Sequence, residues 1–246
     1  MWRPEITIDD APALASGPLV LDIIEQCLGE QGRCRIALSG GSTPQPLFEW
    51  LRDHLPEAYY PALAITWADE RILPTTDAGP ALADEGMPRW SAWHPDTNLH
   101  LAWRHWLQHV SVLPGDVLSM HGIDPEDARA QFTPAFLDRF DGAIDLALLG
   151  AGPDGHIASL FPDHEALEVE GCAVAVTDSP KPPAGRLSLT LGVLAEARHR
   201  VVVARGADKA TVFAQALDGE LPLGALLREA TGSTRWVVDP AVARDL

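Results

Sequence analysis

Two titratable side chains on one glycine-rich loop carry the clearest chemical signal in the sequence. The stretch DLALLGAGPDGHIASLFP, residues 145–162, is apolar up to Gly150, and the loop that follows places Asp154 and His156 two positions apart. An imidazole titrates near neutral pH and can take a proton from water, while a nearby carboxylate can orient the ring and stabilise the imidazolium. The spacing therefore favours an acid–base pair that activates water.

The same loop matches the GxGxxG pattern of dinucleotide-binding turns, with Gly150, Gly152 and Gly155 at the glycine positions. We reject that interpretation, because Asp154 brings negative charge toward a pyrophosphate and the match lies late in the chain. The loop is better explained as a site of chemistry, in which Gly152 and Gly155 are candidate substrate-binding positions.

A second glycine loop has the composition of a phosphate cradle. Its candidate binding residues are Ser39, Gly40, Gly41, Ser42 and Thr43. Glycines let backbone N–H groups turn inward, hydroxyls add donors, and the helix predicted to start near Pro44 contributes its positive end. The GxxxxGK[ST] spacing of a P-loop is missing. The alternative is a tight turn in which Ser42 or Thr43 caps the helix.

Two cations follow predicted strands elsewhere in the chain. Arg71 ends the sequence Asp-Glu-Arg that begins at Asp69, and Lys209 follows the strand at 198–206. Either cation alone also fits a surface ion pair, but together at one sheet edge they suit a compact phosphate ester. The chain contains sixteen arginines and only two lysines, Lys181 and Lys209. A lysine here suggests a position that needs a compact ammonium group.

Strand and helix patterns alternate along the chain, which predicts an α/β fold: a single domain over residues 1–246 with a mostly parallel, Rossmann-like sheet flanked by helices on both faces. The predicted strands are 34–40, 62–70, 143–150, 172–178, 186–190, 198–206 and 234–239. The predicted helices are 18–29, 44–55, 96–110, 124–140, 191–197 and 207–217. Residues 74–95 contain four prolines and no periodicity, and we expect a long excursion over the surface.

Composition narrows the possible partners. The net charge of −17 opposes binding to nucleic acid or to an anionic membrane, so an anionic ligand needs a local cluster of donors. The N-terminus has no signal-peptide pattern and no segment is apolar enough to span a membrane, which predicts a cytoplasmic protein. The three cysteines have no CxxC spacing, so neither a disulfide framework nor a thiolate zinc site is expected.

Six ordered segments together resemble the 6-phosphogluconolactonases, whose wider superfamily also holds the glucosamine-6-phosphate deaminases. The segments are LSGGSTP (38–44), WADERILP (67–74), TN (97–98), DLALLGAGPDGHIASLFP (145–162), RLSLT (186–190) and GADK (206–209). Agreement in a single glycine motif arises easily by chance, whereas six segments in order do not.

The resemblance implies hydrolysis of 6-phospho-D-glucono-1,5-lactone to 6-phosphogluconate in the oxidative pentose phosphate pathway, with no metal or cofactor. It implies that His156 is the base that activates water, with Asp154 beside it. It also implies that Arg71, Lys209 and the loop at 39–43 bind the 6-phosphate. Further family positions that match are Asp69, Asn98 and Arg186. The sequence leaves open whether the protein is a monomer or a small homo-oligomer.

Two other functions compete with the lactonase. The deaminase pattern places a glutamate five residues after the histidine, where this chain has Phe161, so the ring-opening and proton-shuttling roles lose a partner. A non-catalytic sugar-phosphate sensor is the second alternative, because related domains serve in transcription regulators. The chain shows no helix-turn-helix segment, and its acidic charge opposes DNA binding.

Overall fold

Short apolar runs form a parallel sheet, because strands covered on both faces need side chains that are apolar at nearly every position. The computed structural model describes residues 3–73 and 94–246. Its strands are β1 (Glu5–Ile8), β2 (Cys34–Leu38), β3 (Leu63–Trp67), β4 (Asp69–Arg71), β5 (Asp116–Val117), β6 (Leu146–Leu149), β7 (Ala173–Val176), β8 (Arg186–Leu189), β9 (His199–Ala204) and β10 (Ser233–Val238).

The main sheet has seven strands in the order β1-β10-β9-β6-β2-β3-β5, and every neighbouring pair is parallel. This confirms the predicted mostly parallel α/β sheet. From β2 the chain continues to β3 and β5 on one side and then crosses to β6 on the other side. Ligands of such sheets bind outside the carboxyl ends of the strands at the point where the direction reverses, here between β2 and β6.

A second, antiparallel sheet lies beside this edge, in the order β4-β8-β7. The single strand predicted over 62–70 is therefore wrong, since β3 ends at Trp67. Ala68 joins the two sheets: its N–H donates to the carbonyl of Leu38 and its carbonyl accepts from the N–H of Leu189, both at 2.8 Å. The pattern of apolar residues over 62–70 does not show that the chain changes its pairing partner after Trp67, because the new partner, β8, is distant in sequence.

Two groups of helices flank the main sheet. The helices are α1 (Pro12–Gln31), α2 (Gln45–His54), α3 (Asn98–His105), α4 (Pro125–Phe140), α5 (Leu191–Glu196), α6 (Ala210–Leu217) and α7 (Leu221–Glu229). In one group α2 packs on α1 and α3, and in the other α7 packs on α5 and α6. Helix α4 belongs to neither group and packs on β7 and β8 of the antiparallel sheet. Across residues 3–73 and 94–246, no helix combines the length and apolar character that a membrane span requires.

The helix predicted over 18–29 is longer than expected. It starts at Pro12 and ends at Gln31, and the residue in the left-handed conformation after it is Gly32 (φ 73°) rather than Gly29. Burial of its N-terminal residues against the core outweighs the local signal of a proline as a helix start.

The sequence analysis also failed to predict three elements: β1, β5 and α7.

Two other helices are shorter than predicted. The helix expected over 96–110 is α3, which Thr97 caps by accepting a hydrogen bond from the N–H of His100 at 3.2 Å, followed by a 3-10 turn. The helix expected from residue 207 begins at Ala210, after another 3-10 turn.

The surface excursion predicted over 74–95 cannot be compared with the structure at residues 74–93, which lie outside the described part of the chain.

A buried ion pair joins the two strands at the switch point. The carboxylate of Asp145, directly before β6, accepts hydrogen bonds from the backbone N–H and Nε of Arg35 on β2, at 2.8 and 2.9 Å. Asp145 is fully buried. Because the same arginine holds the carboxylate through its backbone and its side chain, the alignment of β2 with β6 is well defined, and so is the position of the loops that follow them.

Candidate active site

A cleft of about 260 Å³ opens at the carboxyl ends of β2, β3, β6 and β9. Most of the residues predicted from the sequence line it: Ser39, Gly40, Gly41, Ser42, Thr43, Asp69, Arg71, Asn98, Gly152, His156, Arg186 and Lys209. The other two predicted residues, Asp154 and Gly155, lie on the loop that carries His156. Four neighbouring strands of one parallel sheet release their loops at the same edge, which is why segments distant in sequence meet here.

The loop after β6 holds an imidazole and a carboxylate in direct contact. Nδ1 of His156 lies 2.5 Å from Oδ1 of Asp154. Two backbone hydrogen bonds close the loop: the N–H of Gly155 donates to the carbonyl of Gly152 at 3.0 Å, and the N–H of Gly152 donates to the carbonyl of His156 at 2.9 Å. Because Asp154 occupies Nδ1, the nitrogen that remains for the cleft is Nε2.

The surroundings favour a neutral imidazole beside an ionised carboxylate. Burial lowers the pKa of His156 and Lys181 lowers it further, and together these effects exceed the influence of Asp154 and Asp69, which raise it. Burial alone raises the pKa of Asp154. The hydrogen bond from His156 and the positive charge of Lys181 nevertheless bring that pKa below its ordinary value. A neutral histidine with a free Nε2 is the protonation state that a general base requires.

An aromatic ring supports the imidazole from the side. The rings of Phe161 and His156 have centroids 4.9 Å apart and are tilted by 40°, and Phe161 is buried. Gly152 lies so close to the imidazole that a Cβ at this position would be 2.0 Å from its Cε1. The ring is therefore packed between a glycine and a phenylalanine, which fixes its orientation.

Polar atoms without partners converge on the loop at 39–43. Among the described residues, no hydrogen-bond partner is found for the buried Oγ of Ser39, Nε of Arg71 or Oδ1 of Asn98. Asn98 approaches Gly40 so closely that a Cβ there would be 1.8 Å from Oδ1. Buried polar groups rarely lack partners in a folded protein, so these atoms are suited to bind a polar ligand.

In the described part of the chain, three cations line the cleft and provide a local anion site in an acidic chain. They are Arg71, Arg186 and Lys209. Lys209 is held in place because its Nζ donates to the carbonyl of Arg205 at 3.0 Å and lies 3.6 Å from Oδ2 of Asp208. Since only 16% of its side chain is exposed, its charge is less screened by water than that of a surface lysine.

Asp69 is the one carboxylate that residues 3–73 and 94–246 contribute to the lining, and neighbouring side chains hold both of its oxygens. Oδ2 accepts a hydrogen bond from Oγ of Ser159 at 2.6 Å and lies 3.7 Å from a guanidinium nitrogen of Arg186. Oδ1 accepts from Nδ2 of Asn98 at 3.1 Å. Asp69 thus ties β4 to the loop after β6, to β8 and to the start of α3.

Glu70 anchors α3, and the sequence interpretation assigned it no role. Its buried carboxylate accepts hydrogen bonds from three backbone N–H groups: Arg71 at 2.8 Å, Asn98 at 2.7 Å and Leu99 at 2.8 Å. Burial raises the pKa of Glu70 to about 7, although the three N–H donors lower it. The contact places Asn98 in the cleft through the first turn of the helix.

We expect Glu70→Gln to lower the free energy of unfolding by about 1–3 kcal/mol, because the amide nitrogen cannot accept the hydrogen bond from Leu99. Urea unfolding at pH 8, above the raised pKa, measures the loss. The control is Glu126→Gln, in the first turn of α4, where the carboxylate is 64% exposed. Equal effects of the two substitutions would contradict the anchoring role.

Lys181 and Ser159 also belong to the site without having been assigned to it from the sequence. Nζ of Lys181 lies 3.3 Å from Oδ1 of Asp154 and 3.1 Å from Nδ1 of His156. The scarcity of lysine was a signal for Lys181. No feature of the sequence indicated a role for Ser159, since the hydroxyl of a serine in an apolar segment usually forms a hydrogen bond with the local backbone.

Within the two ranges that the structure describes, no three or more His, Cys, Asp or Glu side chains are grouped so that they could hold a metal ion.

The chain is similar to known proteins over most of its length. Residues 10–236 match the family model described as glucosamine-6-phosphate isomerases/6-phosphogluconolactonase. The 6-phosphogluconolactonase of Bos taurus is 32% identical, with 97% of this chain and 92% of the relative covered. That of Homo sapiens is 34% identical over 89% of this chain and 83% of its own. The crystal structure of the enzyme from Leishmania guyanensis superposes with a TM-score of 0.79 at 25% identity, covering 99% of both chains.

Proposed function

Because the chain belongs to the family of glucosamine-6-phosphate isomerases and 6-phosphogluconolactonases, we propose that it hydrolyses 6-phospho-D-glucono-1,5-lactone with water activated by His156. The product is 6-phosphogluconate, and the reaction belongs to the oxidative pentose phosphate pathway. The observation that carries the proposal is the His156–Asp154 pair, which lies in one cleft with three cations and a glycine loop suited to a phosphate.

The reaction needs one proton carrier. Nε2 of His156 takes a proton from water as the water oxygen forms a bond to the lactone carbonyl carbon. Asp154, which accepts the hydrogen bond at Nδ1, stabilises the imidazolium. When the tetrahedral intermediate collapses, the bond between that carbon and the ring oxygen breaks, and the imidazolium returns its proton to the ring oxygen. A lactone is an activated ester, so no covalent enzyme intermediate is required.

The phosphate positions the reacting carbonyl. Lys209, Arg71 and the donors of residues 39–43 hold the 6-phosphate at the end of the substrate remote from the carbonyl. Binding energy from this charged end offsets the entropy lost when the lactone is oriented against the water. Ser39 and Arg71 have unpartnered atoms for this purpose among the described residues.

Phe161 favours the lactonase over the deaminase. It occupies the position at which the deaminase pattern has a glutamate, and it packs on the ring of His156. A phenyl ring neither donates nor accepts the protons that opening and isomerising an amino sugar require. We therefore expect no release of ammonia from glucosamine 6-phosphate.

The direct test generates the phosphorylated lactone in place and follows its loss, with glucosamine 6-phosphate assayed in parallel for ammonia. Rapid loss of the lactone without ammonia supports the proposal. Release of ammonia would make the protein a deaminase, and binding of the lactone without turnover would make it a sugar-phosphate sensor.

We expect Lys209→Met to raise KM for the phosphorylated lactone by about 10- to 100-fold, because a charge-assisted hydrogen bond to a phosphate is lost. Activity on unphosphorylated glucono-1,5-lactone should change far less, so the ratio of the two kcat/KM values identifies the phosphate contact. The control is Arg205→Met, which removes a neighbouring cation that is exposed. A proportional loss on both lactones would argue against a phosphate role for Lys209.

The broader setting of the enzyme is also part of the proposal. The net charge of −17 supports a protein without nucleic-acid or anionic-membrane partners. We propose that it is located in the cytoplasm. We propose that residues 1–246 form one domain and that the protein is a monomer or a small homo-oligomer. Its partner is then the small sugar-phosphate lactone.

A further inference from the structure

The side chain of Lys181 contacts the pair Asp154–His156, although Lys181 and the pair lie on different loops. Nζ lies 3.3 Å from Oδ1 of Asp154 and 3.1 Å from Nδ1 of His156, so one ammonium contacts both members. We propose that Lys181 is a positioning residue of the hydrolysis: its ammonium holds Asp154 against His156 and keeps the imidazole unprotonated at Nε2. This inference rests on the proposed function of His156 as the base.

The segment that carries Lys181 is held rigidly at its backbone. It lies between β7 and β8, and the N–H of Lys181 donates to Oγ of Ser179 at 3.2 Å, while that hydroxyl donates back to the Lys181 carbonyl at 2.9 Å. The guanidinium of Arg186, with only 7% of its side chain exposed, donates to the carbonyls of Lys181, Pro182 and Pro183 at 3.2, 3.2 and 3.0 Å. A surface ion pair would not need this support.

The choice of lysine is itself informative. Sixteen of the eighteen cationic side chains of the protein are arginines, and its two lysines, Lys181 and Lys209, both lie at this site. An ammonium is a compact point charge with donors that rotate, whereas a guanidinium is a planar fork. Nζ lies within 3.3 Å of two atoms that are themselves 2.5 Å apart, Oδ1 of Asp154 and Nδ1 of His156, and this narrow space suits the compact group.

The charge of Lys181 opposes that of Asp154 at the imidazole. The charged groups that face His156 are Asp154 on its own loop, Lys181 from the segment between β7 and β8, and Asp69 from β4. Burial lowers the pKa of His156 most, the two carboxylates raise it, and Lys181 lowers it. Without Lys181, the carboxylates would raise the pKa of His156, and a larger fraction of the side chain would be the imidazolium, which cannot accept a proton from water.

The first test is an NMR titration of the imidazole in the protein without substrate. The signal of His156 is assigned among those of the nine histidines by its absence from the spectrum of His156→Asn. In Lys181→Met the titration midpoint of His156 should rise by roughly 0.5–1 pH unit, because a nearby, partly exposed like charge is removed. In Lys181→Arg the midpoint should return toward that of the wild type, because the charge is restored.

The second measurement is the pH dependence of kcat/KM for the phosphorylated lactone. A base must be unprotonated to act, so a raised midpoint moves the acid limb of Lys181→Met to higher pH and lowers kcat/KM by roughly 3- to 10-fold below the limb. Arg244→Met, which removes a cation 61% exposed near the C-terminus, is the control for loss of a positive charge elsewhere.

The two measurements separate the possible failures. An unchanged midpoint in Lys181→Met overturns the inference, and so does an equal rise in Lys181→Met and Lys181→Arg, because arginine keeps the charge. If the midpoint of His156 rises but the acid limb of kcat/KM stays in place, the effect of Lys181 on the imidazole stands and His156 is not the base of the reaction.

Discussion

Replacement of His156 by alanine should lower kcat/KM for the phosphorylated lactone by about 1,000-fold, the typical contribution of a positioned general base. The imidazole is the titratable group of the cleft whose free nitrogen can take a proton from water, and its other nitrogen is bound to Asp154. Loss should appear mainly in kcat, because the cations and the loop at 39–43 that hold the phosphate are unchanged. Steady-state kinetics on lactone generated in place measures the effect.

His156→Asn is the matched variant, because its amide can still donate a hydrogen bond toward Asp154 while no group replaces Nε2. It should lose nearly as much activity as His156→Ala. Retention of more than a third of the wild-type rate in either variant would rule out His156 as the base. A large loss with alanine and a small one with asparagine would instead indicate that the ring serves to fill space beside Phe161.

Gly152→Ala should lower kcat by about 100-fold, the scale of effect that follows when a catalytic group is displaced by about 1 Å. A Cβ at Gly152 would lie 2.0 Å from Cε1 and 2.1 Å from Nδ1 of His156, and 2.6 Å from Oδ1 of Asp154. The added methyl group cannot be accommodated unless the imidazole–carboxylate pair moves. Activity and a crystal structure of the variant measure the two consequences together.

Gly150→Ala provides the control two residues earlier in the same loop. Gly150 also lines the cleft, but a Cβ there has no neighbour within 4 Å among the described residues and does not displace the imidazole–carboxylate pair, so kcat of this variant should stay within a few-fold of the wild-type value. Equal losses in both variants would mean that the loop tolerates no side chain for reasons unrelated to His156. Full activity of Gly152→Ala with an unmoved ring would show that the close approach has no catalytic importance.

The catalytic loop and the glycine loop at 39–43 could be recognised from the sequence because their signals are local. A glycine-rich turn after an apolar run marks the end of a buried strand, and Asp154 and His156 lie in that turn. In a parallel sheet the carboxyl ends of the strands share one edge, so several such ends predict one shared site. The same logic placed Arg71 and Lys209 at the cleft, where the structure finds them.

The boundary between β3 and β4 could not be recognised in this way. Residues 62–70 form one continuous pattern, yet Ala68 bonds to Leu38 on one side and Leu189 on the other. The start of α1 was missed for a related reason, since Pro18 is tolerated inside a helix that packs against the core. In both cases contacts with residues far along the chain outweigh the local preference.

Residue type and spacing were enough to predict the α/β class, the parallel sheet and the pair Asp154–His156, because these depend on local periodicity and on neighbours within one loop. One partner of the pair comes from elsewhere, Lys181 from the segment between β7 and β8, whereas Phe161 lies in the same stretch and packs on the ring. Contacts at 3 Å between residues about 25 positions apart depend on how two loops pack, and no pattern in either loop encodes that distance. The sequence therefore suffices to propose His156 as the base, while the folded chain shows which charged groups lie near its imidazole.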